Sequence, residues 1–289
     1  MAANNLITRS IIKAAISFLL LIHLVACGLT LPPITEEPTG QQHIGKFVWF
    51  DLLTDDVAAA KKFYADIFAW EFEGSENGYT KILHKGDYIG GIIYSERLEQ
   101  KVSEAQWLSY LSVPDVDRAT EYLRQNGGKI IREPMDLDER GRASVVADPQ
   151  GAVFVMLSAK DGDPEDVRPK LGEWLWSELI TANSEDAASF YTSLVGYTQD
   201  AREAGEGRMY YVMKYDDLPR AGILKSPWEN VRPNWLPYIR VEDPAMVTDR
   251  VPKIGGKVIL EPDPGIRKGS VAVIADPTGA VLAVQKWPM

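Results

Sequence analysis

A chain of 289 residues with a formal charge of −10 offers no basic stripe, which argues against nucleic acid as a partner. Its 45% hydrophobic and 25% charged residues are those of a globular protein, neither disordered nor membrane-embedded, and the length suggests about two domains. The single cysteine, Cys27, leaves the folded body without a disulfide or a thiolate metal site.

In chain order, Arg9 and Lys13 form a short positive leader, and residues 14–26 (AAISFLLLIHLVA) are apolar apart from Ser17 and His23. That is the length of a secretory h-region and is short for a membrane span. The run ends in Leu24-Val25-Ala26-Cys27-Gly28, which resembles the bacterial lipoprotein box. The resemblance implies a signal peptide over residues 1–26, lipidation of Cys27 and anchoring in the bacterial cell envelope. In a Gram-negative host, Gly28 after the cysteine implies the periplasmic face of the outer membrane. An uncleaved anchor or a plain signal peptide is the alternative. Residues 27–43, with three prolines and no helical period, are expected to be a flexible tether.

The stretch KFVWFDLLTDDVAAAKKFY at residues 46–64 opens as a strand and continues as a helix. Alternation puts Trp49 and Asp51 on one strand face and Val48, Phe50 and Leu52 on the other. Asp56 stands where a helix N-cap is needed. Short β-rich runs follow at 79–83 and 88–94. The pattern repeats from Trp107, with Asp115 as the helix-leading acid, Gly127-Gly128 as the helix stop and β runs at 129–133, 143–147 and 152–158. Asp148-Pro149-Gln150-Gly151 has the composition of a tight turn.

Beyond a polar joint at 160–171, everything recurs. Ala147–Val153 returns as Ala275–Val281, Gly127-Gly128-Lys129 as Gly255-Gly256-Lys257, and Trp107-Leu108 as Trp235-Leu236, all 128 residues on. Trp49 and Asp51 return as Trp176 and Glu178, 127 residues on. A duplication with a further split inside each half makes the unit βαβββ, present four times.

Four such modules, the strand-Asp-helix-Phe-Tyr start and the Asp-Pro-x-Gly turn resemble the vicinal oxygen chelate superfamily, which includes glyoxalase I, extradiol dioxygenases and bleomycin-resistance proteins. The resemblance implies an α+β fold in which the four modules pair into two tandem domains, 44–159 and 172–289. Each domain would be a cup-shaped mixed sheet with its helices outside. It says little about chemistry, because the scaffold hosts lyases, oxygenases and binders.

Metal-using members of the family place histidine and glutamate on the first and last strands of each module. Seven residues before each helix-leading residue, that pattern falls on Trp49, Leu108, Trp176 and Leu236. On the last strands it falls on Val155 and Ala283, with Gly90-Gly91-Ile92 and Gly222-Ile223 in the remaining two. None is a ligand type. Past the tether only His43 and His84 remain, and His84, beside Lys85-Gly86-Asp87, is expected in a solvated hairpin loop. No cofactor is therefore expected, a divalent metal being the alternative, and no catalytic residue is assigned. Arg140-Gly141-Arg142 reads as a basic hairpin edge, or else as a grip for an anion.

The same geometry directs Trp49, Asp51 and Tyr110 into one cup and Trp176, Glu178 and Tyr238 into the other. Aromatic walls with one carboxylate suit a small cationic or polar-aromatic ligand. A plain aromatic plug is the bland alternative. The chain is thus expected to be a lipid-anchored, metal-free small-molecule binder, touching the membrane only through its anchor. The rivals are a glyoxalase-type lyase or oxygenase, an activity using Asp51 or Glu178 as general base, and an envelope interaction scaffold.

Overall fold

Four helices begin where an acid or amide side chain relieves the unpaired N–H groups of a first turn. Asp56 accepts from the Ala59 amide at the start of α1 (Val57–Phe68), and Asp115 from that of Arg118 at α2 (Val116–Gln125). Asn183 accepts from the Asp186 amide at α3 (Ser184–Val195), and Asp243 from that of Ala245 at α4 (Pro244–Arg250). The computed structural model describes residues 31–37, 39–98, 104–205, 207–228 and 231–288. The leader and Cys27 lie outside these.

Each helix sits inside a βαβββ module. The first two modules contribute β1 (Phe47–Thr54), β2 (Glu71–Gly74), β3 (Tyr79–His84), β4 (Asp87–Tyr94), β5 (Gln106–Ser112), β6 (Lys129–Asp136), β7 (Gly141–Ala147) and β8 (Val153–Ala159). They form one eight-stranded sheet in the order β2-β3-β4-β1-β5-β8-β7-β6. The last two contribute β9 (Trp174–Thr181), β10 (Thr198–Glu203), β11 (Met209–Tyr215), β12 (Leu218–Lys225), β13 (Asn234–Val241), β14 (Lys257–Leu260), β15 (Val271–Ala275) and β16 (Val281–Lys286), in the matching order β10-β11-β12-β9-β13-β16-β15-β14. The two module-opening strands pair antiparallel at the centre of each sheet, while β1/β4 and β5/β8 pair parallel. This is the tandem α+β architecture expected from the repeats.

The helices lie outside the cups, and the backs of the two sheets share one core. Phe47 meets Trp235 at 4.5 Å between ring centroids, Phe50 meets Trp174 at 4.3 Å, and Trp107 meets Trp174 at 4.9 Å. The duplicated motifs cross this seam reciprocally. Trp107 donates to the Tyr64 hydroxyl (3.0 Å), which donates to Asp276 of the other half (3.0 Å). Trp235 donates to Tyr191 (2.9 Å), which donates to Asp148 (3.1 Å). Asp148 also accepts from the Gln150 and Ala152 amides within its turn. Each Asp-Pro-x-Gly motif thus shapes a turn and ties the halves together. Burial pushes both carboxyls, Asp148 and Asp276, above the ordinary aspartate value.

Two local expectations change. Of the segment read as a flexible tether, residues 27–30 lie outside the described residues, Leu31 and Ile34 are buried inside the first cup, and Glu36, Glu37, Gly40 and Gln41 stay exposed. Its two apolar side chains find a hydrophobic cavity that tether composition alone does not reveal. His84 is buried rather than solvated, its Nε2 lying 2.9 Å from the Leu171 carbonyl, because the joint folds over it. The joint itself is pinned. Asp163 accepts from Ser112 Oγ and the His43 amide, both at 2.6 Å, and Asp166 bridges Lys46 (2.6 Å) and Arg220 (2.5 Å) of the two halves.

Partial burial alone would raise the Asp166 pKa, but hydrogen bonds from Lys46 and Arg220 outweigh it and bring it down to about 2. A depressed carboxylate adds stability above its unfolded value, about 3.9, and loses it as the pH falls through the folded value. Asp166→Asn is therefore expected to cost about 1–2 kcal/mol at pH 6, with solvent screening keeping it at the low end, and to cost only a few tenths of a kcal/mol near pH 2. Urea midpoints of the two proteins across that range check this, and a gap as large at pH 2 as at pH 6 sinks it.

Candidate site in the two cups

The central strand register sets the inward residues. Trp49 lies opposite Tyr110 across β1/β5, and Asp51 lies beside Gly91 of β4. In the second sheet Trp176 lies opposite Tyr238, and Glu178 beside Gly222. All six sequence-predicted residues do face the cups. The glycines matter because a tyrosine from the next strand passes over each. A Cβ on Gly91 would stand 2.0 Å from the Tyr79 hydroxyl, and one on Gly222 would stand 2.1 Å from that of Tyr210.

In the first cup Asp51 is fully buried and fully engaged. One oxygen accepts from Trp49 Nε1 (2.9 Å) and the Tyr79 hydroxyl (2.8 Å). The other accepts from the Tyr110 hydroxyl and Arg140 Nη1, both at 2.6 Å. Arg140 also donates from Nη2 to Tyr79 (2.7 Å) and from Nε to the Pro32 carbonyl (3.1 Å). Its guanidinium carbon sits 5.1–5.5 Å from the ring centroids of Trp49, Tyr79 and Tyr110, within cation–π range. Arg140 and Asp51 are both 0% exposed. Burial opposes the Arg140 charge, but Asp51 and the tyrosine hydroxyls outweigh it and hold the group protonated. Burial likewise pushes the Tyr79 and Tyr110 hydroxyls up, and the Asp51 charge adds to it, so both stay donors.

The basic hairpin edge is therefore two different residues. Arg142 is at the surface with Asp117 and Asp136, whereas Arg140 reaches in as the centre of the first cup. Leu31 and Ile34 pack in the same apolar cluster as Trp49 and Tyr110, and the Pro32 carbonyl between them accepts from Arg140. Trp49, Asp51 and Tyr110 accordingly form a closed cluster and do not line an open cavity.

The second cup carries the same five groups in a more open state. Tyr238 donates to Glu178 (2.5 Å), Arg267 Nη2 donates to the other Glu178 oxygen, and Trp176 Nε1 donates to the Tyr210 hydroxyl (3.1 Å). Arg267 lies 5.3 and 5.7 Å from the Tyr210 and Tyr238 ring centroids. Glu178 and Tyr238 are buried, but Trp176, Tyr210 and Ile180 are only half-buried, and the Arg267 side chain is 25% exposed. Among the described residues, the apolar cluster here draws only on the domain's own strands. A shallow hollow of about 700 Å³ beside Thr39, Gly40, Gln42 and Lys160 lies away from both cups. It has no aromatic wall.

Neither donor set suits the family's metal. The positions that would supply ligands hold Trp49, Leu108, Val155, Trp176, Leu236 and Ala283, and among the described residues no three His, Cys, Asp or Glu side chains converge. Each cup carboxylate already bonds a guanidinium, which would repel a divalent cation in its place. The same pairing removes the argument for a cationic guest, since the carboxylate charge is already neutralised.

Sequence reasoning missed Arg140, Arg267, Tyr79 and Tyr210. The two arginines stand 127 residues apart, the offset of Trp49 and Trp176, so the repeat held the signal. The tyrosines stand 131 apart, outside that offset, and were not recoverable from it.

Comparison with known proteins agrees with this fold. The family model of the Glyoxalase/Bleomycin resistance protein/Dioxygenase superfamily matches residues 43–156. CFP32 of Mycobacterium tuberculosis, whose name places it among the glyoxylases, is 30% identical over 243 residues, covering 82% of this chain and 93% of that protein. The anthracycline biosynthesis protein DauV of a Streptomyces species is also 30% identical, over 256 residues and 83% and 92% of the two chains. Among solved structures, the Mn(II)-bound glyoxalase of Novosphingobium aromaticivorans aligns at a TM-score of 0.56 with 15% identity, over 84% and 82% of the chains. A substrate complex of homoprotocatechuate 2,3-dioxygenase from Brevibacterium fuscum aligns at 0.59 with 14% identity, over 86% and 82%. A tandem glyoxalase-type fold with paired cups is thus the class, and the chain belongs to the glyoxalase/bleomycin resistance/dioxygenase superfamily.

Proposed function

We propose that this protein is a lipid-anchored, metal-free member of the superfamily that binds a small molecule in its second cup. One observation carries the reading: the same Trp-acid-Tyr-Tyr-Arg set is sealed in the first cup and half-open in the second. Half-buried aromatic walls around one oriented polar pair are the ordinary make-up of a small-molecule site. Relatives named for glyoxylase and anthracycline biosynthesis support a small-molecule role. The first cup serves as the structural half of the duplication. The lipoprotein-like leader around Cys27 supports placement in the bacterial envelope.

The expected result is a full chain, purified from a bacterial envelope, that carries substoichiometric Mn, Fe, Zn and Ni by elemental mass spectrometry. Native mass spectrometry should show a non-covalent small molecule that Trp176→Ala releases. One equivalent of bound metal would overturn the metal-free reading in favour of a lyase or dioxygenase. Retention of the mass in the variant would move the site elsewhere.

A further inference from the structure

The first cup is already a complex, because the chain's own residues 31–34 (Leu-Pro-Pro-Ile) occupy it. Leu31 and Ile34 are each 2% exposed and belong to the apolar cluster of Trp49, Tyr110 and Leu137. Between them the Pro32 carbonyl accepts from Arg140 Nε. This guest comes from outside the duplicated modules. At the repeat offset its counterpart falls at the end of β8 and in the joint, whose residues are not in the second cup's cluster. Among the described residues, the second cup therefore has the host residues without that guest.

The hosts differ where the guest would sit. Arg267 spends Nη2 on Glu178 and Nη1 on Gln285 (3.4 Å), and its Nε has no hydrogen-bond partner among the described residues. Trp176, Ile180 and Leu260, packed against the second cluster, are all only half-buried. The Glu178–Arg267 pair is balanced in charge, so an ionised guest would enter with its charge unpaired.

We infer that the second cup takes a neutral guest of the same chemistry as residues 31–34: an amide-type carbonyl flanked by branched apolar groups. Its oxygen accepts from Arg267 Nε and its apolar groups lie against Trp176, Ile180 and Leu260. The inference rests on the second cup being a binding site and adds the chemical class of its ligand. A small natural amide and a short peptide share that chemistry.

The probe is acetyl-Leu-Pro-Pro-Ile-amide, titrated by calorimetry into the full chain in detergent, with the tryptophan indole N–H signals followed by NMR. The expected result is saturable binding that shifts the Trp176 signal and weakens at least about tenfold in Arg267→Gln, the loss of one hydrogen bond to a charged donor. Should Arg267→Gln melt early, Ile180→Lys leaves the ion pair in place, sets a charge against the apolar wall and should weaken binding equally. An analogue ending in a free carboxylate should bind more weakly than the amide. No saturable binding, binding unchanged in both variants, or a shift confined to Trp49 (the peptide replacing the chain's own segment) overturns the inference. A co-purified mass released by Trp176→Ala without peptide binding would leave the site standing and sink only the ligand class. Absence of both would sink both.

Discussion

Arg140→Ala is expected to lower the stability of the protein by about 3–5 kcal/mol, the range for stripping one partner from a buried ion pair. The loss has a specific origin. With the guanidinium gone, Asp51 remains at 0% exposure with only neutral donors, and the Pro32 carbonyl loses its partner. A carboxylate buried without a countercharge must protonate or admit water, and either is costly. Removing the side chain also leaves a cavity between Trp49, Tyr79 and Tyr110. The duplicate provides the control. Arg267→Ala breaks the equivalent pair, but water reaches that side chain, which is 25% exposed, so its cost should be about 1–2 kcal/mol. Urea unfolding at matched slopes measures both. Equal losses at the two positions would refute the distinction between a closed and an open cup.

Gly91→Ala should cost about 3 kcal/mol without any help from backbone strain. Gly91 has ordinary backbone geometry, so the whole penalty is contact: the new methyl would stand 2.0 Å from the Tyr79 hydroxyl oxygen, 2.3 Å from its ring and 2.6 Å from Asp51 Oδ1. Tyr79 is buried and held by Asp51 and Arg140, so it cannot swing away without breaking those bonds. Overpacking of this kind typically costs 1–3 kcal/mol, about the upper end here because hydrogen bonds are lost with it. Gly151→Ala separates the two ways a glycine can be needed. Nothing lies within 4 Å of its Cβ position, but its φ is +98°, so its penalty of about 1 kcal/mol is conformational. Thermal or urea melts rank the two variants, and a Gly91→Ala loss no larger than that of Gly151→Ala would contradict the packing described for the first cup.

Much of the architecture was legible because its signals are local or repeated. Helix starts at Asp56, Asp115, Asn183 and Asp243 depend on one side chain and a backbone amide two or three residues away. Alternation, together with the family resemblance, aimed Trp49, Asp51, Tyr110 and their duplicates into the cups, but it misplaced Val48, which packs against the first-cup cluster because β1 bulges between Phe47 and Trp49. What those residues touch was not legible. Arg140 reads in sequence as one of two arginines flanking a glycine, and only the hairpin's approach to β1, 89 residues earlier, separates the buried one from the exposed one. His84 was misjudged for the same reason, since the joint that covers it lies 87 residues on.

By itself, then, the sequence determined four βαβββ modules in tandem pairs and which side chains point inward, because periodicity, capping and duplication are written along the chain. Only the tertiary structure decided that an arginine neutralises each cup carboxylate, that residues 31–34 of the supposed tether fill the first cup, and that the second is the less covered one among the described residues. Those outcomes turn on long-range contacts and on differences in burial between two copies with nearly the same residues. Sequence pattern can show that the copies are alike, but not which of them the rest of the chain covers.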